Sequence, residues 1–230
     1  MKRNYLRFLK FPKQYIKFQK QYVKNINTIN NSFFLKRNLN LILSFPKNRP
    51  FTTNLITATI KTSSCDILVQ KYIEKKEKID WKRNSIFTIF GFFYLGIAQW
   101  FIFVNFFNKL FPNMQKFANS SFNQKLKDKN GIKNVFYQVF FDNFIHNPFI
   151  YFPCFYVCKE YILEKDFQKS FKKGILTYKK NFKEDNLKII QLFIVGDIIA
   201  FAVPIWLRLP IIHSISFVWT CYLSFSRGNV

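Results

Sequence analysis

From Asn84 to Asn108 the chain carries no charged residue, and the stretch IFTIFGFFYLGIAQWFIFVNFF is apolar almost throughout. At about 1.5 Å of rise per residue, a helix of that length covers a hydrocarbon core of about 30 Å. Pro112, directly after Phe111, predicts where it stops. The other apolar regions are less uniform. Phe51 to Ile73 follows Pro50, with Thr52 or Thr53 placed to cap a helix. Leu55, Ile56, Ile60, Ile67 and Leu68 give that helix an apolar surface, while Lys61, Asp66 and Gln70 make it amphipathic. Glu74 to Lys82 reads as a charged turn.

A third apolar run, Val135 to Leu163, contains Pro148 and Pro153, which predict a bend or an interruption. Glu160 to Lys188 is hydrophilic, mostly basic, and periodic enough for a surface helix. The last region has Ile189 to Leu207 followed by Leu209 to Phe225. Around Arg208 and Pro210 the pattern predicts either two helices in a tight reversal or one helix kinked at Pro210. The reading is all-α: a membrane bundle of four to five transmembrane or membrane-embedded helices over residues 51–230.

The polar positions inside these runs carry the candidate chemistry. Asp66 and Gln70 lie four apart, as do Asp142 and His146, so each pair shares a helical face. Asp197 is the one charge in its apolar run. An ionisable residue at such depth needs a polar partner or a hydrated path. These five residues are the candidates for a polar seam: either they line a pathway or they form a packed hydrogen-bond network. Gly91 and Gly96 offer places for another helix backbone to approach.

Charge narrows the partners. Lys and Arg number 36 against 12 Asp and Glu, a formal net charge of +24, which points to anionic surfaces. A nucleic-acid protein would set its basic and aromatic residues on one surface. In this chain the termini and loops are basic while the densest aromatic stretch is uncharged, which favours membrane lipids and no nucleic acid. Lys82, Arg83 and Arg208 are the candidates for an anionic headgroup such as that of cardiolipin. Residues 1–50 contain no acidic residue and interleave Lys and Arg with apolar positions, as a basic arm or an uncleaved mitochondrial targeting-like segment would.

Little points to catalysis. Cys65, Cys154, Cys158 and Cys221 form no C-x-x-C pair, and His146 and His213 make no compact ligand set with them. The scattered carboxylates make no nucleophile–base pair, and no Gly-rich phosphate loop precedes a helix. No metal, no cofactor and no enzymatic activity are expected.

From about Phe51 onward the chain resembles the Mpv-seventeen and peroxisomal-membrane-protein family. Asp66 and Gln70 within CDILVQKYI carry the resemblance, with Asp80 and Arg83, Gly91, Gly96, Trp100-Phe101 and Phe111-Pro112. FDNFIHNPFIYFPCFY continues it with Asp142, Pro148 and Pro153, and Val203-Pro204, Arg208, Trp219, Tyr222, Leu223 and Ser224 complete it. Cys65 stands where the family usually has Gly, Phe101 stands for a Tyr, and several polar elements before Val203-Pro204 are absent. The resemblance implies a mitochondrial inner-membrane protein, or alternatively a peroxisomal one, acting as a weakly selective channel or solute-flux protein. The lost polar residues and the long basic arm motivate an alternative of nearly equal standing, a non-catalytic accessory subunit of a large inner-membrane assembly such as a respiratory complex.

Overall fold

Helices hold nearly all of the described residues, 44–46 and 48–229, and no strand occurs among them in this computed structural model. The chain divides after Asn48, and the unit Arg49–Val230 is described by itself. The expected basic arm, residues 1–50, lies almost wholly outside the described residues.

Pro50 sits in the first turn of α1, where its missing N–H costs nothing. Helix α1 (Pro50–Leu68) runs on through a wider π-type turn, Val69–Ile73, and Lys75 then adopts a left-handed φ of 55°. Asp80 caps α2 (Trp81–Leu110), its side chain accepting from the Arg83 N–H at 2.9 Å. Two short helices follow, α3 (Met114–Asn119) and α4 (Phe122–Lys127), the second opened by a Ser121–Gln124 capping box. Asp128 caps α5 (Lys129–Phe141), which continues through a π-type stretch, Asp142–Tyr151, into α6 (Phe152–Glu164). Lys165, with φ 57°, turns the chain back into α7 (Phe167–Ala202), and α8 (Ile205–Arg227) completes the fold.

The structure sharpens or changes several expectations. Pro148 and Pro153 do not interrupt their helix: Pro148 falls within the wider turns and Pro153 at the start of α6. The surface helix expected between Glu160 and Lys188 is the first half of α7, whose 36 residues span about 54 Å at 1.5 Å each. The final reversal occurs at Val203–Pro204, where Val203 is extended (φ −101°, ψ 162°), because proline disfavours helical backbone in the residue before it. Pro210 lies inside α8 and removes one backbone donor without ending the helix.

Small residues set the helix contacts. A Cβ on Gly91 would collide with the Thr62 side chain and the Ala58 carbonyl, and one on Gly96 with Leu55, so α1 and α2 touch along both. Gly174 of α7 meets the Tyr156–Val157 backbone of α6, closing the long hairpin. Helix α8 runs antiparallel to α7, with Ile215 against Gly196 and Arg227 beside Asp185. The interior is aromatic: Phe90 packs on Phe155 at 5.2 Å between ring centroids, Phe103 on Phe107 at 5.2 Å, and Phe107 on Phe141 at 5.4 Å.

Two helical stretches among the described residues, Trp81–Leu110 and Leu207–Arg227, are long and apolar enough to cross a membrane. That is fewer than the four to five expected from the apolar pattern. Lys61 and Asp66 lower the hydropathy of α1, and the Lys-rich first half does the same for α7. The α5–α6 helix is diluted by Gln138, Asp142, Asn143, His146 and Asn147. Much of the surface is nonetheless aromatic, with Phe93, Phe149 and Trp81 all more than three-fifths exposed.

Candidate functional site

The five seam residues fall into two separate clusters. Asp66 and Gln70 belong to the first, where α1, the start of α2 and the end of α8 meet. Asp66 and Arg83 are completely buried and form an ion pair at 2.8 Å. All five guanidinium N–H groups find acceptors: Asp66 Oδ1 from Nε, Glu74 Oε2 at 2.7 Å and Asn229 Oδ1 at 3.3 Å from Nη1, and the carbonyl and hydroxyl of Ser224 at 2.9 and 2.8 Å from Nη2.

The carboxylate is equally saturated. Asp66 Oδ1 also accepts from the Ser224 hydroxyl at 2.7 Å, while Oδ2 accepts from Gln70 Nε2 at 2.8 Å and Asn84 Nδ2 at 3.1 Å. Gln70 in turn holds the turn before α2, taking the Asp80 N–H at 2.7 Å and donating to the Asp80 carbonyl at 3.2 Å. A buried pair stands only when every lone pair and proton is engaged in this way. Asp66, Gln70, Asp80, Arg83 and Ser224, the last 158 positions from the first, meet in this one network.

Asp142, His146 and Asp197 form the second cluster, between α2, the π-type stretch after α5, and α7. His146 Nδ1 is hydrogen bonded to Asp142 Oδ1 at 2.7 Å, and its Nε2 to the Tyr94 hydroxyl at 3.0 Å. With Nδ1–H donating to the carboxylate, Nε2 accepts from tyrosine. Asn143 Nδ2 donates to Asp197 Oδ2 at 2.7 Å, which brings a second carboxyl group into the neighbourhood of Asp142. Beside Asp142 is a cavity of about 20 Å³, also lined by Lys61, Gln99, Asn147, Ser216 and Thr220. With about 10–15 Å³ needed per water, it accommodates one water molecule and no larger solute.

The three basic candidates are placed differently from one another. Lys82 is exposed at the start of α2. Arg83 is inside, so its charge neutralises Asp66 rather than facing a headgroup. Arg208, 2% exposed, donates to the Phe103 carbonyl at 2.8 Å and stacks 5.2 Å over the Phe201 ring, tying α8 to α2 and α7. Among the described residues no group of three or more His, Cys, Asp or Glu side chains is arranged to hold a metal.

A third network was not anticipated. Tyr156 donates to Asp185 Oδ2 at 2.6 Å, and Arg227 reaches Asp185 at 2.9 Å and Glu184 at 2.6 Å. Burial holds the Asp185 carboxyl above its usual range, against those hydrogen bonds. Tyr156 and Arg227 stand 71 positions apart by their numbers, so only the fold brings them to one carboxylate. Lys61, donating to Ser216 at 2.6 Å, and His213, hydrogen bonded to Asn54 at 2.8 Å, similarly join α1 to α8.

No protein-family model matches the chain, and neither the curated proteins nor the solved structures offer a match.

Proposed function

We propose that the protein is a non-catalytic accessory subunit of a larger assembly in the mitochondrial inner membrane. The observation that carries this reading is the Asp66–Arg83 lock. A channel needs a hydrated path lined by polar groups free to exchange with solute. At this point the Asp66 carboxylate and the Arg83 guanidinium have their acceptors and donors engaged by each other and by Ser224, Gln70 and Asn84, and the helices bearing them are pinned together. The exterior supports the same reading. Its aromatic residues suit contact with lipid or with neighbouring helices, and large exposed apolar patches mark such surfaces.

Extraction in a mild detergent, native separation and mass spectrometry of the co-migrating chains test the proposal. Constant stoichiometry with a membrane complex is the expected result; migration as a free monomer overturns it. The weakly selective channel implied by the family resemblance draws on the second cluster, where Asp142 lines a cavity. Solute flux in liposomes that Asp142→Ala abolishes would favour it.

A further inference from the structure

One face of α5 and its π-type continuation carries a continuous stripe. Lys129, Lys133, Tyr137, Phe140 and Phe144 follow one another at spacings of three or four residues, and all are exposed. Phe140 and Phe144 stack at 5.0 Å between centroids. Across from them, Ile194 and Ile198 of α7 form a second wall, with Val139 between the two helices, and the open groove offers about 490 Å³. That volume lies within the range of about 300–1,000 Å³ usual for small-ligand sites. The Tyr137 hydroxyl is the only polar side-chain group in its lining.

A positive charge stands at the Tyr137 end of the groove. The Lys133 ammonium rests 5.5 Å from the centre of the Tyr137 ring, which fixes a positive charge at the groove mouth. Lys129 lies one turn beyond it. From Lys109 to Lys133 the sequence holds six lysines and a single carboxylate, Asp128, which is spent on the Gly131 N–H at 2.8 Å. From Phe136 to Phe144 the apolar part runs about 12 Å along the helix, at 1.5 Å per residue.

We propose that this groove binds an acyl chain of an anionic phospholipid, with Lys129 and Lys133 holding the headgroup phosphate. A linear apolar segment joined to one anionic end matches the polarity of the groove. Long lysine side chains reach outward to the phosphate level from an apolar stem. The inference rests on the membrane reading given above.

Native mass spectrometry of the full chain in mild detergent tests it, with dioleoyl phosphatidylglycerol and dioleoyl phosphatidylcholine as probes. The unaltered chain is expected to retain phosphatidylglycerol preferentially. Lys129→Glu with Lys133→Glu should weaken that adduct by about tenfold and spare phosphatidylcholine. Ile198→Trp, which fills the groove, should remove both adducts, with circular dichroism checking that each variant keeps its helix content. Adducts unchanged in both variants overturn the proposal. So does displacement of the lipid by inorganic phosphate alone, since the acyl chain would then contribute nothing. Capture of a protein rather than lipid by a photo-crosslinker at Phe140 also overturns it. A chain that stays monomeric without detergent removes the membrane reading itself, whereas detergent dependence with unaltered adducts removes only the lipid site.

Discussion

The two polar clusters have similar ingredients and opposite designs. At one end of the bundle a carboxylate meets a guanidinium, and their four and five hydrogen bonds are all filled. In the middle, two carboxyl groups face each other, and Asn143 Oδ1 and Asp197 Oδ1 are buried with no protein partner. Neither Asp142 nor Asp197 is paired with Lys or Arg among the described ion pairs. A saturated opposite-charge pair fixes helix register, because no small shift leaves its partners satisfied. A like-charge pair with spare acceptors fixes much less. The first cluster is therefore the lock of this fold, and the second is its adaptable part.

The sharpest way to break this contrast is Arg83→Met. It leaves Asp66 buried and uncompensated, and such a loss costs about 3–5 kcal/mol. The expected outcome is a large fall in the thermal midpoint measured in detergent. The double variant Arg83→Met with Asp66→Leu should recover much of the loss, because a buried pair exchanged for apolar residues is often close to neutral. Equal losses in the single and double variants would mean that the pair is not the lock.

The lock also depends on how closely α1 approaches α2, which Gly91 permits. Gly91→Val drives a branched side chain into Thr62 and the Ala58 carbonyl. Overpacking of this kind costs about 1–3 kcal/mol. Unfolding midpoints should place this variant between the unaltered chain and Arg83→Met. A loss as great as that of Arg83→Met would shift the weight from charge to packing.

Much of this was legible in the sequence, for reasons that differ by element. The start of α1 and the end of α2 follow from Pro50 and Pro112, whose ring chemistry acts locally. The small residues Gly91 and Gly96 were correctly read as sites of helix approach. The division of the seam was not legible: the i,i+4 spacing of Asp66–Gln70 and of Asp142–His146 holds in both clusters, but what saturates each comes from distant chain. Ser224 reaches Asp66 from 158 positions away. The continuity of α7 was hidden by its change from basic to apolar near Lys188, which reads as a boundary although a helix simply passes from one environment to another. Pro204 and Pro210 are both compatible with the start of a helix, and only Pro204 ends up outside it.

A smaller effect is expected at the second cluster. Asp197→Asn keeps an oxygen able to accept from Asn143 and removes one of two facing carboxyl groups. The change in stability should stay within about 1 kcal/mol, since a satisfied polar replacement leaves no stranded charge. Midpoints of unfolding for Asp197→Asn and Arg83→Met, measured side by side, test the contrast most directly. A loss at Asp197 that matched the loss at Arg83 would make the second cluster a lock as well.

The smallest effect belongs to the hairpin tip, where Lys173 and Glu164 are exposed and Glu160 is buried beneath them. Lys173 Nζ lies 2.8 Å from both Glu160 and Glu164. Its hydrogen bond and charge hold the Glu164 carboxyl below the usual carboxylate range, and the Arg227 hydrogen bond does the same for Glu184. The carboxylates of Glu160 and Glu164 raise the Lys173 ammonium above its ordinary value. Depressed carboxyl groups stabilise the fold fully above their ordinary value of 4.5 and cease to do so as pH falls through their lowered range. For Lys173 the sense is opposite: its contribution is complete below 10.5 and is lost as pH rises through the raised value. Such exposed pairs are weak and are screened by salt. Hydrogen exchange should therefore quicken first at the α6–α7 turn when the pH drops below 4.5, and slightly at neutral pH in high salt, with the amides around Asp66 and Arg83 still protected. Amides of the lock opening before those of the tip would reverse the order, because the buried pair would then be the acid-sensitive part of the molecule.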